Sequence, residues 1–316
     1  MVLTMNYFSI VSIQILTFIV YALIGVIAIK VKLYDKDGLN VISSFIIKIS
    51  MPVMIFTNTI NGATREEFIQ SLPVLFTTVL MYIFLYLLST ALGIFSRLKG
   101  NEKNVYRACT MFGNIGFMGI PIISAVFPEH GMLYIALFTV IDQLVLWTIG
   151  VNLTLPVDNK EPLSAKARAL KMINPATVGI TLAVIFIFCN IHLPEFLNTA
   201  LVKTGAITTP LAMIYLGGLF CYTDILQYLK HWEFYVTVVV KMCIFPLVFY
   251  QILKLIPGVT EEIVVSMSLL SALPTMSSVA MLAQNQKSAG EYGAGMIFVT
   301  TLCSIVTLPL VCFLIQ

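Results

Sequence analysis

The stretch MFGNIGFMGIPIISAVFP, residues 111–128, lies inside a hydrophobic segment long enough to cross a bilayer, yet it carries Gly113, Asn114, Gly116, Gly119 and Pro121. Glycine costs about 1 kcal/mol and proline about 3 kcal/mol relative to alanine inside a helix. Pro121 has no N–H for the carbonyl of Phe117, and its ring crowds that carbonyl. Hydrocarbon offers no replacement partner, so backbone at membrane depth departs from a helix only in packed protein or beside an aqueous cavity. The segment therefore reads either as a kink used for packing or as part of a transport site.

The rest of the chain sets that choice in context. Of 316 residues 59% are hydrophobic and 10% charged, with a mean hydropathy of +0.97. Soluble domains carry about 25% charged residues, so an integral membrane protein is expected. Apolar runs near 20 residues suit helices rather than barrel strands of about 10. Ten spans are predicted, at 8–29, 39–60, 72–95, 104–127, 131–155, 174–191, 196–220, 233–254, 262–284 and 290–315. The first reads as a retained span, not a signal peptide, because it lacks a basic region and a small-residue cleavage site. No soluble domain is expected. The net charge of +3 lies in loops and implies no nucleic-acid partner. Six cysteines without paired spacing read as small apolar residues, and three scattered histidines assemble neither a metal site nor an enzyme active site, so no cofactor is expected.

Lysine and arginine counts orient the chain. With Lys48 and Lys241 set aside as lying deep inside spans, the side of the loops after odd-numbered spans holds 13 of the remaining 16 basic residues, Arg107 at the start of span 4 included; Arg65, Lys203 and Lys254 lie on the other side. Both termini are expected outside a plasma or inner membrane, with the 156–173 linker cytoplasmic.

The halves repeat a pattern. Pro52 in span 2 is matched by Pro210 in span 7, 158 residues later, and Pro121 in span 4 by Pro274 in span 9, 153 residues later. Five spans per half is an odd number, so the copies (1–155 and 174–316) are inverted relative to each other. Paired Gly/Pro-interrupted spans in inverted repeats mark the binding site of secondary transporters. The expected fold is thus all-α, with ten transmembrane helices in two inverted five-helix repeats and helix breaks at Pro52, Pro121, Pro210 and Pro274.

In that arrangement spans 4 and 9 cross, and the half-helices starting near Pro121 and Pro274 aim their N-termini at one point. Each N-terminus carries roughly half a positive charge and unpaired N–H groups, which suits an anion. Asn114, Thr275, Ser277 and Ser278 would add donors, although the serines can instead bond back to the preceding turn. Ile115, Phe117, Met118 and Met276 would pack the organic part of a ligand, with Gly116, Gly119, Pro121 and Pro274 shaping the crossing. Asp142 and Gln143 sit in mid-span 5, where a carboxylate is a candidate for proton or cation coupling or a structural group facing the bundle. Lys48 reads as a partner for Asp142 or a substrate carboxylate, or as structural. Lys241 reads as a counter-charge or as a side chain snorkelling to the interface. Trp147 reads as core or interface filling.

At these residues the chain resembles the auxin efflux carrier (PIN-like) family. NIGFMGIPII (Asn114–Ile123) is similar to its N-x-x-x-M-G-I-P-[LI]-[LI] crossover segment. ALPTMSSVAMLAQ followed by GMIFVTTLCSIVTLPL resembles its ninth and tenth helices, and Gln143 to Trp147 its fifth-helix Q-x-x-x-W. The missing large linker suggests a short, prokaryotic-type member. The resemblance implies the fold of bile-acid sodium symporters and sodium/proton antiporters, with a scaffold of spans 1, 2, 6 and 7 carrying an elevator-like unit of spans 3–5 and 8–10. It further implies transport of a small organic anion such as malate, malonate or an auxin-like acid. The carboxylate would sit near Asn114 and Gln143, and a homodimer would form through the scaffold. Plant members carry an Asp/Lys pair on the third helix; span 3 here has no ionisable group but tyrosine, so that pair's role does not carry over. Two alternatives stand beside this reading. A cation antiporter of the same fold would want two carboxylates near the crossing, where only Asp142 occurs. A non-transporting anion or lipid sensor would want a signalling domain.

Overall fold

The computed structural model describes residues 7–62, 64–157, 173, 175–222 and 225–316. Most of the expected 156–173 linker lies outside the described residues; only Pro156, Val157 and Ile173 fall within them. The chain forms α1 (Tyr7–Lys30), α2 (Lys36–Asn61), α3 (Arg65–Phe95), α4 (Gly100–Met111), α5 (Ile115–Val126) and α6 (Gly131–Thr154). It continues as α7 (Pro175–Phe188), α8 (Glu195–Phe220), α9 (Trp232–Lys254), α10 (Glu261–Ser271), α11 (Ser277–Asn285) and α12 (Gly290–Leu314). Among the described residues there is no named strand, only an isolated antiparallel bridge between Gly113 and Thr275. The described residues form an all-helical bundle, and the protein is a multi-pass membrane protein.

Among the described residues, seven helices (α1, α2, α3, α6, α8, α9 and α12) are long and apolar enough to cross a membrane. Ten spans were expected, and the difference has a physical cause. Span 4 is divided into α4 and α5, span 9 into α10 and α11, and α7 has only 14 residues.

The breaks do not fall where the prolines predict. The chain leaves helical geometry at Phe112–Asn114, well before Pro121, and Pro121 itself lies inside α5. π-helical stretches at Ile46–Ser50, Ile115–Gly119 and Val238–Ile244 each end two residues before a proline, namely Pro52, Pro121 and Pro246. The widened turn closes i→i−5 bonds, such as Ile120 N–H to the Ile115 carbonyl. It thereby makes room for a residue that lacks an N–H and crowds the preceding turn. Pro52 is accordingly carried within α2, and in α8 the irregular residue is Ile207, three before Pro210. Of the four prolines expected to mark breaks, only Pro274 lies in a fully non-helical stretch.

Two kinds of contact hold the bundle. Helices α1, α2, α7 and α8 pack through small residues. A Cβ on Gly25 would lie 2.0 Å from the Ile214 carbonyl oxygen, and one on Gly217 would lie 2.0 Å from that of Ala22. Between α7 and α2, a Cβ on Gly179 would lie 2.7 Å from the Pro52 oxygen. Lipid tails are as apolar as leucine, so close backbone approach replaces the hydrophobic effect as the source of helix association.

The other helices are tied by polar groups at their ends. His130 Nδ1, before α6, lies 3.1 Å from Glu262 Oε2 of α10, and its Nε2 lies 3.8 Å from Glu67 Oε1 of α3. Tyr134 donates to the same Glu262 oxygen at 3.0 Å. On α9, buried Glu233 accepts from Tyr292 of α12 at 3.0 Å and lies 2.9 Å from His231 Nδ1. Thr64 and Glu67 form a capping box at the start of α3, and Thr260 caps α10. Such caps satisfy first-turn N–H groups that have no helical partner.

Candidate functional site

The stretches between α4 and α5 and between α10 and α11 cross and bond to each other. Asn114 N–H donates to the Pro274 carbonyl at 2.7 Å, and Met276 N–H donates to the Phe112 carbonyl at 2.9 Å. Thr275 Oγ1 donates to the Cys109 carbonyl at 3.0 Å, and its N–H donates to Thr300 Oγ1 at 3.2 Å. Each broken segment thus satisfies backbone groups that the other leaves exposed, which is what a break among apolar side chains requires. Gly113 and Gly119 allow the approach, since a Cβ on Gly119 would lie 2.9 Å from Leu273 Cδ1. Thr275→Val is expected to cost about 1–3 kcal/mol by leaving the Cys109 carbonyl unpaired, a loss read as a lowered unfolding midpoint of the purified protein.

Beside the crossing lies a cavity of about 310 Å³. Asn114, Ile115, Gly116 and Phe117 line it from α5, Asp142, Gln143 and Trp147 from α6, and Met276, Ser277 and Ser278 from the start of α11. Ser43, Met51, Thr139 and Tyr215 are also part of its wall, with aliphatic side chains around them. Several predicted site residues lie elsewhere. Thr275 and Pro274 belong to the bridge, and neither lines the cavity. Met118 is buried against Ser304, Gly119 against Leu273, and Pro121 faces a separate cleft shared with α1 and α8.

The two helix starts that meet here are not equivalent. Asn114 caps α5, its Oδ1 accepting from Phe117 N–H at 3.3 Å. That bond fixes the amide orientation, because only the oxygen can accept. The Nδ2 is then the group left over: Asn114 is 3% exposed, and its Nδ2 has no hydrogen-bond partner among the described residues. Helix α11 has no side-chain cap, so Ser277 and Ser278 begin it with N–H groups that lack partners within the helix. Ser277 Oγ is likewise buried and unpartnered. All of these donors border one cavity, and a buried donor without an acceptor costs about 1–3 kcal/mol.

Asp142 is fully buried and accepts hydrogen bonds from Tyr82 of α3 and, at 3.0 Å, from Gln143 Nε2. Lys48 is exposed and borders a shallow groove with Pro52 and Gly179, outside the cavity, so it does not pair with Asp142. Lys241 is also displaced from its expected place. It does not snorkel; it is 1% exposed and donates to the Leu273 carbonyl behind the crossing. Tyr82, Tyr215, Ser43 and Thr139 were not legible as site residues. A tyrosine or hydroxyl in an apolar span gives no periodic signal distinguishing a cavity wall from core. Among the described residues no lysine, arginine or histidine lines the cavity, and no group of His, Cys, Asp or Glu is arranged to hold a metal.

A multi-pass helical bundle with two interrupted helices bonded back to back beside a cavity has the form of a membrane transporter. The sequence matches the family described as membrane transport proteins over residues 10–312, and the chain belongs to that family, to which the auxin efflux carriers belong. It is 25% identical over 212 residues, 64% of this chain and 67% of the relative, to an uncharacterized transporter of Methanocaldococcus jannaschii.

Proposed function

We propose that the protein is a secondary carrier of a small organic anion, whose carboxylate binds in the cavity between the starts of α5 and α11. The unpartnered Asn114 Nδ2 carries this reading. An amide donor held by its own oxygen at the wall of this cavity, beside the uncapped α11 start, is complementary to an acceptor and best to a charged one. The absence of any cationic side chain from the described wall favours one carboxylate over two. Phe117, Met276, Tyr215 and Trp147 suit an apolar or aromatic body. A cavity of about 310 Å³ stands at the lower end of ligand pockets.

Counting α4–α5 and α10–α11 as one crossing each gives ten crossings in two inverted halves, with the crossing at mid-membrane. The glycine-packed helices α1, α2, α7 and α8 form the scaffold, and the remaining helices move against it as an elevator. The scaffold also forms the homodimer contact. The termini lie outside the cell membrane.

Asp142 lines the same cavity, where a second negative charge opposes an anion. In the proposed cycle Asp142 takes up a proton with the substrate, so uptake into proteoliposomes rises as the pH on the loading side falls. Asp142→Asn is expected to keep uptake and lose its pH dependence; an unchanged pH profile would reject Asp142 as the proton carrier. The test of the function itself is uptake of labelled carboxylates under separately imposed proton, sodium and potential gradients. Failure of every organic acid to give saturable uptake would remove the carrier reading.

A further inference from the structure

A helix broken among apolar side chains exposes two unlike ends. One presents N–H groups and suits an anion; the other presents carbonyls and suits a cation. At the α4 end of the crossing the carbonyls of Ala108, Cys109, Phe112 and Gly113 all accept from neutral protein donors: Phe112 N–H, Thr275 Oγ1, Met276 N–H and Ile115 N–H. The α10 end is different. The Pro274 carbonyl accepts from Asn114 N–H, but the Leu273 carbonyl accepts from the side chain of Lys241, on α9.

Lys241 has several features of a built-in ligand. It is 1% exposed, it lies in the π-helical stretch Val238–Ile244, and among the described residues no carboxylate pairs with it. Glu233, the buried carboxylate of the same helix, is engaged by His231 and Tyr292. Thr237, between them, donates to Tyr106 at 2.8 Å. Burying an ammonium without a carboxylate is expensive unless other groups compensate it. The carbonyl tail of α10 is the compensating group in place here. Lys241 does not line the cavity, so it is not a contact for the anion.

We propose that Lys241 is a positioning residue that acts as a tethered cation for the carbonyl end of the broken α10–α11 segment, so that the crossing needs no free cation. The inference deepens the carrier reading and rests on it only where transport is measured. The ammonium fixes Leu273, and through the adjoining residues 274–276 it fixes where α11 starts and how its N–H groups face the cavity.

The experiment compares wild type with Lys241→Ala and with Lys241→Met, which refills the volume without the charge. The unfolding midpoint and carboxylate uptake are measured in choline, sodium, potassium and methylammonium chloride. Wild type should be indifferent to the cation in both measurements. Lys241→Ala should lose uptake about tenfold, and millimolar methylammonium or sodium should restore part of it and raise the midpoint by about 2 °C or more, because a cation then binds only the folded form. Lys241→Met should stay low under all four salts. Three results would overturn the proposal: wild-type uptake or midpoint that requires sodium, full activity in Lys241→Met, or a folded Lys241→Ala equally indifferent to every cation. Should Lys241→Ala fail to fold in any salt, Lys241→Met and the wild-type salt series still decide. The midpoint needs no substrate, so cation rescue without uptake of any acid would sink the carrier reading and leave the tethered cation standing.

Discussion

Asn114→Ala is expected to lower carboxylate uptake about ten- to a hundredfold, the equivalent of one lost hydrogen bond to a charged group at roughly 1.5–3 kcal/mol. The variant also removes the cap on α5, which by itself costs about 0.5–2 kcal/mol of stability, so a loss of uptake could come from loosened structure. Asn114→Asp separates the two effects. Its carboxylate keeps an oxygen for Phe117 N–H, where Oδ1 now accepts at 3.3 Å, and a negative charge at a helix start is favourable. It replaces the unpartnered Nδ2 with a second acceptor and places like charge against the substrate. Asn114→Asp should therefore retain the wild-type unfolding midpoint more closely than Asn114→Ala and transport no better. Wild-type uptake in either variant would place the carboxylate somewhere else.

The second large effect is on stability. Gly217→Val should lower the unfolding midpoint by about 6 °C or more, from a cost of about 3 kcal/mol or above. The added Cβ would lie 2.0 Å from the Ala22 carbonyl oxygen and 2.7 Å from its Cα, which are backbone atoms that no rotamer change can move aside. The same addition at Gly218 meets Leu39 Cδ2 at 2.8 Å, the flexible tip of a side chain, and should cost less. Midpoints of the two alanine variants, Gly217→Ala and Gly218→Ala, test that ordering; equal midpoints would mean that α1 and α8 shift apart cheaply. Because Gly217 does not itself line the cavity, any Gly217→Ala protein that folds should keep the wild-type pH profile of uptake.

Pro121 illustrates what sequence reading locates and what it misplaces. The proline marks the right segment, since a residue without an N–H perturbs any helix. It does not mark the break, because a π turn at Ile115–Gly119 absorbs it and the chain opens at Phe112–Asn114 instead. Asn114 was legible for a sound reason: an amide inside an apolar span must bond to something. Thr275 invited the same argument and differs only in what lies nearby, the Cys109 carbonyl and Thr300 Oγ1.

The sequence by itself determined a helical membrane protein, the two interrupted segments and their pairing, and the residues Asn114, Asp142, Gln143, Ser277 and Ser278 that border the cavity. These follow from composition, hydrophobic run length and local backbone chemistry, all of which are properties of neighbouring residues. Tertiary structure alone decided which polar atoms remain unpaired. Asn114 Nδ2 is left over while Thr275 is consumed, Tyr82 reaches Asp142 across 60 positions of chain, and Lys241 closes on a carbonyl 32 positions away. Hydrogen-bond satisfaction is a property of packed helices, and no spacing along one helix encodes what its neighbour will present.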